Sequence, residues 1–180
     1  MLMKICSILA GVAVLAGVQL SSAQSFISNL DAAQDGGGLR TGSGSVALTL
    51  SGSTLTFSPG SYSGLSGTVT ASHIHGPAGP GVNAPVLYSL VPTFITTGAT
   101  SGTIAGGVLN LVDGTGGWTL AQQLSQLNSG QWYVNIHTTT FAPGEIRGQI
   151  TLVPEPSSAA LLVLGGLCTG AYLRRKQRGA

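Results

Sequence analysis

Between Gln24 and Val153 the chain repeats one pattern: a few alternating or β-branched apolar residues, then a cluster of Gly, Ser, Thr, Pro or Asn. Successive side chains of a strand point to opposite faces, so such segments suit half-buried strands, and turn formers at this spacing leave little room for helices. The candidate strands are residues 26–30, 45–50, 54–58, 65–75, 85–91, 100–104, 108–112, 131–138 and 145–153, enough for two packed antiparallel sheets in an all-β sandwich. Ser51-Gly52-Ser53 reads as a hairpin turn, because Val46, Leu48 and Leu50 on one side and Leu55 and Phe57 on the other are both period-2 sets. One segment departs from the β pattern. Thr119 and Gln122 form a capping box, Leu120, Leu124 and Leu127 recur at helical spacing, and Asn128 or Gly130 can end the helix.

The ends do not belong to this domain. Lys4, an apolar run over 5–20 and the small residues Ser21-Ser22-Ala23 have the form of a signal peptide, residues 1–23, cleaved between Ala23 and Gln24. At the other end Val153-Pro154-Glu155-Pro156 precedes an apolar run over 157–173 and the basic cluster 174–178. That run is just long enough for a transmembrane helix, and its basic end would stay cytoplasmic, leaving the domain of residues 24–153 outside. Within that domain Arg40 and Arg147 stand against Asp31, Asp35, Asp113 and Glu145, a net charge of −2, so the basic balance of the whole chain lies in its ends. Such a domain lacks the cationic surface that nucleic acid requires. Both cysteines, Cys6 and Cys168, also fall in the ends. The domain must therefore hold together by apolar burial and sheet hydrogen bonds, without a disulfide.

Its chemistry concentrates in two stretches, Ser72-His73-Ile74-His75-Gly76-Pro77-Ala78-Gly79 and Tyr133-Val134-Asn135-Ile136-His137. On a strand, His73 and His75 share a face, as do Tyr133, Asn135 and His137, while Trp132, Val134 and Ile136 face the core. Three imidazoles are the ligand type of zinc and copper sites, and three protein ligands with one open position suit a catalytic zinc. The competing role is hydrogen bonding of each imidazole to a backbone carbonyl at a strand end. No Asp is close in sequence to orient the rings. Glu145 and Arg147 share a strand face and read as a surface ion pair, with each other or with a cross-strand group. The glycine-rich stretch 35–44 reads as a flexible loop, and 76–83, rich in Gly and Pro, as a loop leaving the His73 strand. Neither a Gly-x-Ser-x-Gly elbow nor a carboxylate pair marks a hydrolase.

The motifs Tyr62-Ser63-Gly64-Leu65-Ser66-Gly67, Ala71 to Ala78, Gly81-Val82-Asn83-Ala84, Trp132 to Thr138 and Gly144-Glu145-Ile146-Arg147-Gly148-Gln149-Ile150, in this order, resemble the CHRD domain. That domain was first recognised in the animal morphogen antagonist chordin and is widespread in bacterial exported proteins. The resemblance spans about residues 26–152 and implies an immunoglobulin-like architecture, an extracellular setting and no catalytic residues. The tail, with Pro154-Glu155-Pro156, one apolar run and Arg174-Arg175-Lys176, resembles a PEP-CTERM sorting signal of Gram-negative bacteria. It implies a membrane-anchored precursor, processing by an exosortase-type enzyme and retention at the cell surface or in the extracellular matrix. The expectation is thus a non-enzymatic surface module that meets an extracellular polysaccharide or protein. The alternatives are a zinc or copper domain built on His73, His75 and His137, and a carbohydrate-binding module.

Overall fold

The computed structural model of the protein describes residues 23–36 and 38–154. The expected signal peptide up to residue 22, Glu155 and Pro156, the expected transmembrane segment 157–173 and the basic tail lie outside the described residues. Among those described, no helix is long and apolar enough to cross a membrane.

Among the described residues ten strands follow one another: β1 (Gln24–Asp31), β2 (Ser43–Ser51), β3 (Thr54–Phe57), β4 (Gly60–Ser63), β5 (Val69–His75), β6 (Val86–Ser89), β7 (Gly102–Ile104), β8 (Gly107–Asn110), β9 (Tyr133–Thr138) and β10 (Ile146–Leu152). They form a single antiparallel sheet in the order β6-β5-β9-β10-β1-β2-β3-β8, with β4 against β2 and β7 against β4. The sheet curls, so one core takes side chains from both of its ends: Leu55 and Phe57 of β3, Ile74 of β5, Ile136 of β9 and Ile150 of β10. Alternation does this locally. In β2, Val46, Leu48 and Leu50 are buried and the residues between them are exposed, as period 2 requires.

The hairpin at Ser51 to Ser53 is present, with Ser51 opposite Thr54 and Gly52 in the left-handed region at φ 59°. The helix α1 (Leu120–Asn128) has the expected capping box, the Thr119 amide donating to Gln122 Oε1 at 2.9 Å. Its leucine stripe is only part of what it buries. Leu127 is in the core, Leu120 and Leu124 pack partly against it, and Gln123 and Gln126 are buried beside them. Both glutamines are partnered, since Tyr88 donates to Gln123 and the Trp132 indole N–H donates to Gln126.

One segment differs from the sequence reading. The strand expected from residue 65 begins at Val69, and β4 had not been foreseen. Gly60-Ser61-Tyr62-Ser63 offers a single apolar residue, so it carries no period-2 signal. Gly64, at φ 72°, turns the chain out of β4, and Leu65 packs into the core with its amide bonded to the Thr100 carbonyl before β5 begins.

The outer surface of β5 and β9 is where the functional candidates meet. These strands pair with Ala71 opposite His137, His73 opposite Asn135 and His75 opposite Tyr133. Trp132, Val134 and Ile136 point into the core, as expected from alternation.

Candidate metal centre

The register of β5 on β9 brings His73, His75 and His137 together, with one ligand atom from each imidazole inside a set no wider than 4.8 Å. His73 Nδ1 lies 3.1 Å from His137 Nε2. Two ligands of a tetrahedral zinc, each about 2.0–2.1 Å from the metal, stand roughly 3.3 Å apart. One pair of imidazoles is therefore already at a coordination spacing, and the third lies within 4.8 Å of both.

The rings are aimed by backbone carbonyls. His75 Nδ1 lies 2.9 Å from the Ala84 oxygen and His137 Nδ1 2.9 Å from the Ala142 oxygen. A carbonyl only accepts, so both Nδ1 atoms carry the proton and each Nε2 keeps its lone pair. His137 Nε2 then accepts from His73 Nδ1–H. His75 Nε2, fully buried, has no hydrogen-bond partner. The carbonyl contacts foreseen as an alternative to metal binding are thus present; they leave His75 Nε2 free, while His137 Nε2 and His73 Nδ1 share a hydrogen bond that a bound metal would replace. Charge points the same way. Burial, then the neighbouring His137 and His75, hold the His73 imidazole down to about 4, and burial also lowers His75. Both rings stay neutral at ordinary pH, the form that binds metal.

The outer side of β9 is not open. Tyr133, Asn135 and His137 are all buried, because the loops 32–42, 76–84 and 139–144 fold over them. His75 stacks on Tyr133 with the rings 6° from parallel, and the Arg147 guanidinium sits 4.8 Å from the Tyr133 ring centroid. The Ala84 amide donates to the Tyr133 hydroxyl at 3.0 Å.

Two expectations are corrected here. Glu145 and Arg147 do not form a surface ion pair; both are buried and each is bound elsewhere. Glu145 accepts from the Ser66 amide at 2.6 Å and from the Thr138 hydroxyl at 2.7 Å. Burial pushes its carboxyl up, but these bonds and one from the Gly67 amide outweigh it, holding the group below the usual range. Arg147 donates to the Gln34 carbonyl and to Asn83 Oδ1, and its Nε lies 3.7 Å from Asp35 Oδ1. The second concerns the glycine-rich loop, which brings the Asp35 carboxylate to this site although Asp35 is distant in sequence from every histidine. That loop is also not free, because Arg40 packs on Phe141 and donates to the Gly144 carbonyl. Burial raises the Asp35 carboxyl against Arg147, Arg40 and His137, which pull it down. Asp35 Oδ2 and Asn135 Oδ1 have no hydrogen-bond partner. Both crowd against Gly144, where φ is 139° and any side chain would strike them.

Sequence reasoning singled out the three histidines that the fold brings together and missed the groups around them. The only available sign was the pair of arginines in a domain otherwise without cationic residues.

The CHRD domain family matches residues 18–150. No curated protein and no solved structure matches the chain.

Proposed function

Because the chain belongs to the CHRD family, a family of extracellular-type modules, we propose that its exported domain is a non-enzymatic surface module that binds a divalent metal, zinc or copper, through His73, His75 and His137. The observation that carries this reading is the fixed pair of Nδ1–carbonyl contacts at His75 and His137, which turn two buried lone pairs towards a third imidazole within 4.8 Å. A cluster serving only to hold loops would not leave His75 Nε2 buried and unpartnered, at a cost of about 1–3 kcal/mol. The ligands suit zinc and copper, since imidazole serves both and no thiolate or carboxylate competes among the three.

The setting follows from the ends of the chain. Residues 1–23 direct export, the immunoglobulin-like sandwich of 24–153 lies outside, and Pro154-Glu155-Pro156 with the apolar run 157–173 is the signal an exosortase-type enzyme processes. The module then contributes to surface or matrix binding.

Titration calorimetry of the full-length chain with zinc and with copper tests the metal reading. Saturable uptake of one metal per chain at micromolar concentration is expected, lost in His137→Ala. At a hundredfold excess over Kd the metal should add about 2.7 kcal/mol to folding stability, read as a rise in Tm. Absence of saturable binding, or binding indifferent to the substitution, overturns it. Replacing Pro154, Glu155 and Pro156 by alanine should leave membrane insertion intact and block C-terminal processing; equal processing of both chains would remove the sorting reading.

A further inference from the structure

The three imidazoles leave a bound metal with an incomplete shell. Among the described residues they form the whole group of His, Cys, Asp and Glu ligands at this place. A tetrahedral ion would therefore keep one position for a molecule from outside. The character of that molecule follows from charge. Neutral imidazoles donate electron pairs without cancelling any of the ion's two positive charges. The nearby carboxylates are already committed. Asp35 faces the Arg147 Nε at 3.7 Å and the Arg40 Nε at 4.0 Å. Glu145 is bound by the Ser66 amide and the Thr138 hydroxyl. Moreover, Arg40 and Arg147 are the only Lys or Arg residues between 24 and 153, and both lie beside this face. The domain is acidic as a whole, yet its cationic side chains and its metal ligands share one place.

Resting on the metal reading above, we infer that the open position takes an anionic oxygen ligand, a carboxylate, from outside the chain. His73 marks the entry. It is only half-buried, whereas His75 and His137 are buried, and its strand β5 is flanked by β6 at the end of the sheet. A carboxylate arriving there binds the metal directly and supplies the missing negative charge in a site screened less than open water. Small carboxylates and carboxylate-bearing polymers share this chemistry, and the measurement separates them.

The test uses the full-length chain, zinc-free and zinc-loaded, titrated calorimetrically with acetate, with oligogalacturonate and with neutral dextran. Both carboxylates should bind the zinc-loaded chain roughly tenfold or more tighter than the zinc-free chain, and dextran should not distinguish them. Tighter binding of oligogalacturonate per carboxylate would assign the site to a polymer, and equal binding to small carboxylates. His73→Ala, which removes the half-buried ligand, should abolish the zinc-dependent part. Asp35→Asn, which removes a competing negative charge without changing shape, should strengthen carboxylate binding. Zinc uptake without zinc-dependent carboxylate binding overturns this inference alone. Failure of the chain to take up zinc overturns the metal reading and the inference with it.

Discussion

Strand β9 is buried on both sides, and the two sides are buried by different physics. Towards the core, Val134 and Ile136, with Trp132 just before them, lie among apolar side chains. Towards the outside, Tyr133, Asn135 and His137 are covered by polar loops. Apolar burial has no direction and scales with area, so the inner side tolerates approximate partners as long as volume is filled. A buried polar group instead needs a partner at a set distance and angle, so the outer side must be satisfied bond by bond. Among the described residues, the three buried side-chain atoms without a partner, His75 Nε2, Asp35 Oδ2 and Asn135 Oδ1, lie on the outer side. Function is to be sought where satisfaction is incomplete, and that is the face carrying the histidines.

Substitutions on each side should therefore fail in different ways. The largest effect belongs to the inner side. Trp132→Ala empties a fully buried site and strands Gln126, and should cost about 3–5 kcal/mol in denaturant unfolding, with little dependence on pH or metal. A loss that varied with zinc would break the distinction between the sides.

Next comes Glu145. Its alanine variant leaves the Ser66 amide and the Thr138 hydroxyl without their acceptor and should cost about 2–3 kcal/mol. Its pKa in the fold lies below the ordinary 4.5, so the folded protein resists protonation of this group. The stabilisation is full above the unfolded value and is lost as pH falls through the folded one. Thermal melts from pH 5 downward should show a shallower acid decline in Glu145→Gln than in the parent chain.

His73 gives a second window of the same sign, nearer neutral pH, with a smaller effect because the ring is partly exposed to solvent. With the imidazole held to about 4 against 6.5 when unfolded, the unfolded chain binds the extra proton. Stability is therefore full above pH 6.5 and declines towards pH 4 in metal-free protein. His73→Gln should flatten the Tm profile across that interval, and an unchanged profile would show that the ring titrates freely. The same lowered value extends the range of metal binding to more acid pH than an ordinary imidazole allows. The smallest effect is expected of Asn83→Ala. It removes one exposed acceptor of Arg147 while the Gln34 carbonyl remains, so the change in stability should stay within about 1 kcal/mol. A larger loss would mean that the loop over residues 76–84 holds the outer face as firmly as the core holds the inner one.

Much of the inner side was legible from residue order. Alternation identified Val46, Leu48, Leu50, Leu55, Phe57, Val134 and Ile136 as inward, and all are in the core. The helix was legible because capping is a local bond between Thr119 and Gln122. Strand β4 was not, since its one buried apolar residue, Tyr62, gives no period. On the outer side, the pairing of His73 with His75 followed from the pleat. The placing of Glu145 and Arg147 on the surface did not survive, because strand alternation assigns a face and cannot tell whether a loop covers it.

The sequence by itself determined the β class, the hairpin, the capped helix and the residue types that can hold a metal. These depend on neighbours one to four positions apart, where backbone geometry leaves few choices. Tertiary structure alone decided that His137 joins the other two histidines, through the register of β5 on β9. It also decided that Asp35 and Gln34 meet Arg147 across more than a hundred residues. Such contacts are set when distant segments dock, and their distance and angle are fixed by the packed sheet beneath them, which no local pattern encodes.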